Sequence, residues 1–319
     1  MDLLLYVPAR LVIGLAQLLP LGVVARLGRA IGAIVYFVDG RHRTVALRNL
    51  TEAFGEEKSE REIRALAKEN FRRIGENFAS SIKTMTMSQA EIEKVLSARH
   101  IERAIPPDEP KPHKSRVFAV GHFGNFETYA RLGSFGLGSR CATTYRGLRQ
   151  PGLNRLLQDM RNRSGTLFFD RRTDAAKLKQ AMQEGSIMLG LLADQHAGNR
   201  ALRLPFFGRE CSVSTAPAVF ALRYKCPLHM AICFRTQLAR WQVEFSAPIP
   251  THEDGKARSV EDITRDVNRH FEEAIRRDPA NWFWVHNRWK PARKRSKKPK
   301  QEEGDSAPDV ATEAAADSP

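Results

Sequence analysis

The amino-acid sequence predicts an α/β protein in which a central sheet, parallel or mixed, is flanked by helices and preceded by membrane-associated helices. Three observations carry this reading. Beyond residue 116, short apolar runs of strand length alternate with helical patterns, which argues for a sheet covered by helices. Within that region, Val117-Phe118-Ala119-Val120-Gly121-His122-Phe123-Gly124-Asn125-Phe126-Glu127 has the form of a strand, a tight glycine turn and a helix start. Finally, residues 3–38 are the most apolar segment of the chain.

Taken in order, residues 1–40 read as a membrane-anchoring segment. Arg10, Arg26 and Arg29 interrupt it, and Pro20 divides its longest uncharged run, Leu11 to Ala25, which is short for a span. An interfacial anchor or re-entrant hairpin therefore fits better than a cleaved signal peptide, because Asp2 stands where an early basic cluster would be needed. Arg41, His42, Arg43 and Arg48 follow and suit an anionic lipid surface. Residues 41–105 read as a helical region. Ser59-x-x-Glu62 is a capping box, and Ile63, Ala67, Phe71, Ile74, Phe78 and Ile82 recur at helical spacing behind it; Ser88-x-x-Glu91 opens a second, short helix. A proline-bearing loop over Pro106–Lys114 then delivers the chain into the first apolar strand of the α/β domain, residues 106–290.

In that domain strands are expected over 117–120, 141–145, 166–169, 187–193, 228–234 and 241–245, with helices over 151–162, 173–184 and 214–225. Ser259-x-x-Asp262 caps one more helix, which ends before Pro279. Residues 291–319, basic and then acidic and poor in aromatics, are expected to be a disordered charged tail.

A net charge of +15 on a 36.0 kDa chain calls for an anionic partner. Without residues 290–319 the body keeps 44 basic against 30 acidic residues, so the charge belongs to the folded part. Anionic lipid, a phosphorylated substrate or nucleic acid would each answer it. The nucleic-acid reading lacks a zinc-finger spacing, an RRM signature or a helix-turn-helix. Cys141, Cys211, Cys226 and Cys233 show no CxxC spacing and read as small core residues in a reducing compartment; the scattered His residues give no metal-ligand spacing, so no metal is expected.

His122 is placed at the carboxyl end of a strand, where loops of an α/β sheet carry reactive groups. Glu127, five residues on in the first helical turn, is positioned to fold back onto the imidazole, fix its tautomer and stabilise the imidazolium. With 9 His and 36 acidic residues, about one His-x4-acid pair arises by chance, so the weight rests on the strand-turn-helix frame around the pair. From Arg140 to Arg172 there are eight Arg, no Lys and only Asp159 and Asp170 as acids; Arg146, Arg161 and Arg163 are expected nearest a phosphorylated ligand, since a guanidinium makes paired hydrogen bonds to phosphate. A second loop, Leu192-Ala193-Asp194-Gln195-His196-Ala197-Gly198, should open onto the same crevice and leads to an apolar wall, Pro205-Phe206-Phe207-Gly208. Asn281 to Lys290 interleaves aromatic and basic residues, which suits a membrane interface, a long-chain pocket or plain core packing.

Gly121-His122-Phe123-Gly124-Asn125-Phe126-Glu127, Tyr145-Arg146, Asp194-Gln195 with Gly198, Pro205-Phe206-Phe207-Gly208 and Trp282-Phe283-Trp284-Val285-His286-Asn287-Arg288-Trp289-Lys290 together resemble the lipid A biosynthesis acyltransferases, the lauroyl- and myristoyl-transferases of the lysophospholipid acyltransferase superfamily. Arg43 to Leu50 also resembles the segment after that family's anchor helix. Phe126 stands where Trp is common, and the turn after Asp194 is less glycine-rich, which bears on the acceptor rather than the reaction. The resemblance implies a glycerolipid-acyltransferase-like fold and transfer of an acyl chain from an acyl carrier protein or coenzyme A thioester, with no other cofactor, to a hydroxyl of an anionic membrane glycolipid. It further implies an inner-membrane enzyme with its catalytic domain facing the cytoplasm. His122 is then the general base with Glu127 as its partner; Gly124, Asn125, Arg146, Arg161, Arg163, Asp194 and Gln195 form the expected substrate-binding set. Another glycolipid or lysophospholipid acceptor is the alternative. A lipid hydrolase is a lesser one, since no Gly-x-Ser-x-Gly elbow is present.

Overall fold

Pro20 splits the apolar amino-terminal segment into two helices, α1 (Asp2–Leu18) and α2 (Leu21–Val38). They are part of a computed structural model that describes residues 2–135 and 137–291. Residues 292–319, most of the expected charged tail, lie outside the described residues. Helices α3 (Gly40–Phe54) and α4 (Glu60–Thr84) follow; the Ser59 hydroxyl accepts from the Glu62 N–H and Glu62 reaches back to Ser59, so the expected capping box starts α4. The second box, Ser88 with Glu91, opens the single turn α5 (Gln89–Ile92).

α2 packs along α4 on glycines. A Cβ at Gly28 would stand 2.4 Å from the Gly75 carbonyl oxygen, and one at Gly32 would stand 2.2 Å from that of Phe71, so only glycine lets the two backbones approach. Arg29, which interrupts the apolar pattern of α2, turns inward to Glu69 and to the fully buried Glu76 of α4. Glu76 also accepts from Arg235 and from the Ala239 N–H, tying α2 and α4 to the sheet. The outer rows of α1 and α2 are thus mainly apolar and open, with Leu15, Leu18, Ile31, Ile34 and Phe37 all exposed beside Arg10 and Arg26. By length and composition α2 is able to cross a membrane, although 28% of it is buried against the protein.

The sheet has seven strands: β1 (Leu96–Arg99), β2 (Arg116–Val120), β3 (Arg140–Tyr145), β4 (Leu167–Asp170), β5 (Ile187–Leu192) and, after a separate hairpin of β6 (Arg203–Phe206) and β7 (Arg209–Ser212), β8 (Leu228–Gln237) and β9 (Arg240–Phe245). Their order is β1-β9-β8-β2-β5-β3-β4, parallel except for the antiparallel β8–β9 pair. Between them run α6 (Ile101–Ala104), α7 (Pro151–Asn162), α8 (Ala175–Glu184) and α9 (Ala216–Arg223), and α10 (Val260–Arg277) follows β9. The α/β expectation and its mixed sheet hold. Every predicted strand is present; β1, the β6–β7 hairpin and a short hairpin of His252–Glu253 with Lys256–Ala257 are additional. The helix start near Asn125 is a 3₁₀ helix, Phe126–Phe135.

Alternate residues of β2 and β5 divide between two layers. Val117, Ala119, Leu189 and Leu191 join the main core with α3, α9 and α10, whereas Phe118, Val120 and Met188 face the 3₁₀ helix. All four cysteines are buried and free, as expected of small core residues.

Candidate active site

β2 and β5 pair in parallel with Val120 opposite Leu192. Two residues beyond these positions lie His122 and Asp194, so the strand register alone brings them together at the carboxyl ends of adjacent central strands. His122 Nδ1 is 2.8 Å from Asp194 Oδ1, and the His122 N–H donates to Oδ2 at 2.8 Å. A third donor, Trp282 Nε1, reaches Oδ2 at 2.8 Å. Asp194 is 1% exposed. Burial alone would raise its pKa, but the imidazole and these donors outweigh burial and hold the carboxyl below its ordinary value. An ionised carboxylate only accepts, so the Nδ1 of His122 carries a hydrogen, and in the neutral ring the lone pair is on Nε2. The ring is clamped edge-on by Phe126 at 4.8 Å, with Phe283 5.9 Å away.

This geometry corrects the expected contact between Glu127 and the imidazole. Both Glu127 oxygens take the Arg161 guanidinium, Oε1 from Nη2 at 2.6 Å and Oε2 from Nε at 3.2 Å. The 3₁₀ helix aims Glu127 sideways toward α7, whereas Asp194 sits directly across the strand pair from His122. The imidazole is therefore oriented by a residue 72 positions away in sequence.

Gly124 has φ +50°, and a Cβ there would stand 2.7 Å from the Cys233 carbonyl oxygen, so the turn requires glycine. Its N–H donates to the Asn281 carbonyl at 3.0 Å. Asn125, expected among the substrate-binding residues, is fully buried and points into α4, accepting from Ser81 at 2.8 Å and donating to Thr84 at 3.1 Å. It pins the turn and does not line the cavity.

That cavity, of about 550 Å³, opens at His122 and runs between the 3₁₀ helix and the sheet. Its exposed end is polar, bordered by Arg146, Arg161, Arg171, Gln195, His196 and Ser214. Its inner walls are apolar: Phe118, Val120, Leu132, Met188, Leu192 and Phe245. A narrower cleft beside Phe78, Phe126 and Phe283 also reaches His122, which thus stands where two openings meet. Of the three singled-out arginines, Arg146 and Arg161 border the cavity. Arg161 also lies 5.4 Å over the Phe168 ring. Arg163 is exposed at the end of α7 and does not.

The aromatic-basic end of the domain lies partly in the core, with Lys290 exposed and Phe283 at the narrower cleft. Trp282 and Trp284 are buried, and Arg288, fully buried, donates to the carbonyls of Gln195 and Ser212, tying down the loop that carries Asp194. Burial lowers the pKa of Arg288. His286, close enough to feel Asp194 and His122, is pushed down to about 4, chiefly by burial. Tyr129, Arg171, His196 and Ser214 also border the cavity without having been singled out from the sequence; Arg171 stood in the run of arginines from 140 to 172 and His196 in the loop expected at the crevice, whereas Tyr129 and Ser214 carried no signal. The family model described as bacterial lipid A biosynthesis acyltransferase matches residues 5–291. No curated protein matches the chain.

Proposed function

The chain belongs to the bacterial lipid A biosynthesis acyltransferases, and from that premise we propose that it moves a fatty acyl chain from an acyl carrier protein or coenzyme A thioester to a hydroxyl of a lipid A precursor or a related membrane glycolipid, with His122 as the general base. The observation that carries this reading is the His122–Asp194 pair at the junction of an apolar cavity and a second opening. His122 Nε2 takes the proton of the acceptor hydroxyl, and the alkoxide oxygen attacks the thioester carbonyl carbon. As the tetrahedral centre collapses, the carbon–sulfur bond breaks and the thiolate leaves with the proton held on the imidazolium. Asp194 keeps Nδ1–H in place and stabilises that imidazolium. The first N–H groups of the 3₁₀ helix, at Phe126 and Glu127, have no earlier turn to bond to and suit the developing oxyanion.

The remaining residues take supporting roles. Glu127 holds Arg161 at the polar mouth, where Arg161 and Arg146 bind an anionic group of donor or acceptor. Gln195 borders the same mouth. The apolar outer face of α1 and α2 lies against the cytoplasmic leaflet of the inner membrane, which brings the site to its lipid acceptor. Mass spectrometry of host glycolipids with and without the gene tests the proposal. One class of glycolipid short of a single acyl chain is the expected result; an unchanged profile that no purified protein alters refutes it.

A further inference from the structure

Gly190 occupies the middle of β5, paired with Phe118 of β2 on one side and Thr143 of β3 on the other. Glycine is unfavourable inside a central strand, because it surrenders the most backbone freedom and packs nothing. The two usual reasons for tolerating it do not apply. Gly190 is not among the residues with positive φ. A Cβ built on it would meet only the Ala142 carbonyl oxygen at 3.8 Å and two Val120 methyls at 4.0 Å, which is ordinary contact. Its flanking residues Leu189 and Leu191 point into the main core, so the open side of Gly190 is the side that borders the cavity.

We propose that Gly190 decides how long an acyl chain the site accepts. The inference rests on the acyl-transfer reading of the same cavity. A chain whose thioester carbon lies at His122 passes first over Val120 and Leu192 and then over Gly190. Phe118, paired with Gly190, precedes His122 by four residues, or about 13 Å along the strand. That distance is the reach of roughly ten carbons in the extended staggered form. A side chain at 190 would stand between Phe118 and Thr143 and close the cavity at that depth, leaving short chains room and ending the path of long ones. Past Gly190 along β5 and β3 the cavity is still bordered, by Met188 and its strand partner Cys141.

The test uses the full-length purified protein and the substitutions Gly190→Ala and Gly190→Val, valine being at home in a strand. Binding of radiolabelled octanoyl, dodecanoyl and hexadecanoyl coenzyme A is measured alongside transfer to a glycolipid acceptor, with circular dichroism as the folding control. The expected result is selective: Gly190→Val weakens hexadecanoyl binding by more than about tenfold relative to octanoyl, and Gly190→Ala shifts the preference in the same direction by less. If Gly190→Val does not fold, the Gly190→Ala shift decides. An unchanged chain-length profile, or an equal loss at every length, overturns the proposal. Wild-type protein that binds no acyl thioester overturns it together with the transfer reading. Length-selective binding without transfer to any glycolipid refutes that reading while supporting the role of Gly190.

Discussion

Replacing Asp194 by Asn separates catalysis from folding. The native carboxylate accepts three hydrogen bonds, from His122 Nδ1, the His122 N–H and Trp282 Nε1. An amide has a single oxygen. If that oxygen takes the place of Oδ2 and keeps the two N–H donors, the NH₂ group faces Nδ1 and forces it to accept, so the ring hydrogen moves to Nε2 and the base is lost. The turnover number should fall by about 10³–10⁴, the scale of a trapped tautomer. Folding should change far less. Each lost charge-assisted bond costs about 1.5–3 kcal/mol, but the substitution also removes the desolvation of a fully buried charge, so we expect a net effect within about 2 kcal/mol. The assay is single-turnover acyl transfer in detergent with a radiolabelled thioester, alongside thermal melts. Wild-type turnover in a folded Asp194→Asn protein would refute the reasoning.

Two further predictions concern stability. Glu76 is fully buried between Arg29 and Arg235, so Glu76→Ala leaves Arg235 without its carboxylate and Arg29 with Glu69 alone, and should destabilise the fold by about 3–5 kcal/mol in denaturant titrations; a change below about 1 kcal/mol would contradict the network. His286 binds its proton only near pH 4 in the native state and at about 6.5 when unfolded, so between these values the unfolded chain holds more protons and stability falls as the solution is acidified. The melting temperature of His286→Asn should therefore drop less than that of wild type from neutral pH to pH 4; parallel curves would show that His286 titrates normally.

Local patterns announced most of the fold. The capping boxes at Ser59 and Ser88 and the apolar runs of β2, β5 and β8 depend on neighbours within a few residues, and they appear where expected. What escaped depends on contacts across the chain. Asp194 stood in a loop expected at the crevice, yet its pairing with His122 follows only from the β2–β5 register, and nearness in sequence favoured Glu127 instead. Arg29 reads as an interruption of α2 until Glu69 and Glu76 of α4 are known to face it. Trp282, Trp284 and Arg288 have the composition of an interface, and composition does not say which side of a segment the core occupies. The four-residue strands β1, β6 and β7 carry alternating polar residues and no sustained period, so they pass for loop.

The central claim is that His122 moves the proton. It is tested most directly by measuring acyl transfer to a glycolipid acceptor with purified His122→Ala, after melting curves and membrane flotation have shown the variant folded and bound. Asp194, at its 2.8 Å contact with the ring, then has nothing to orient. The account predicts a loss of at least about 10³ in turnover, with little change in binding of the acyl thioester. Transfer within about tenfold of wild type would contradict it.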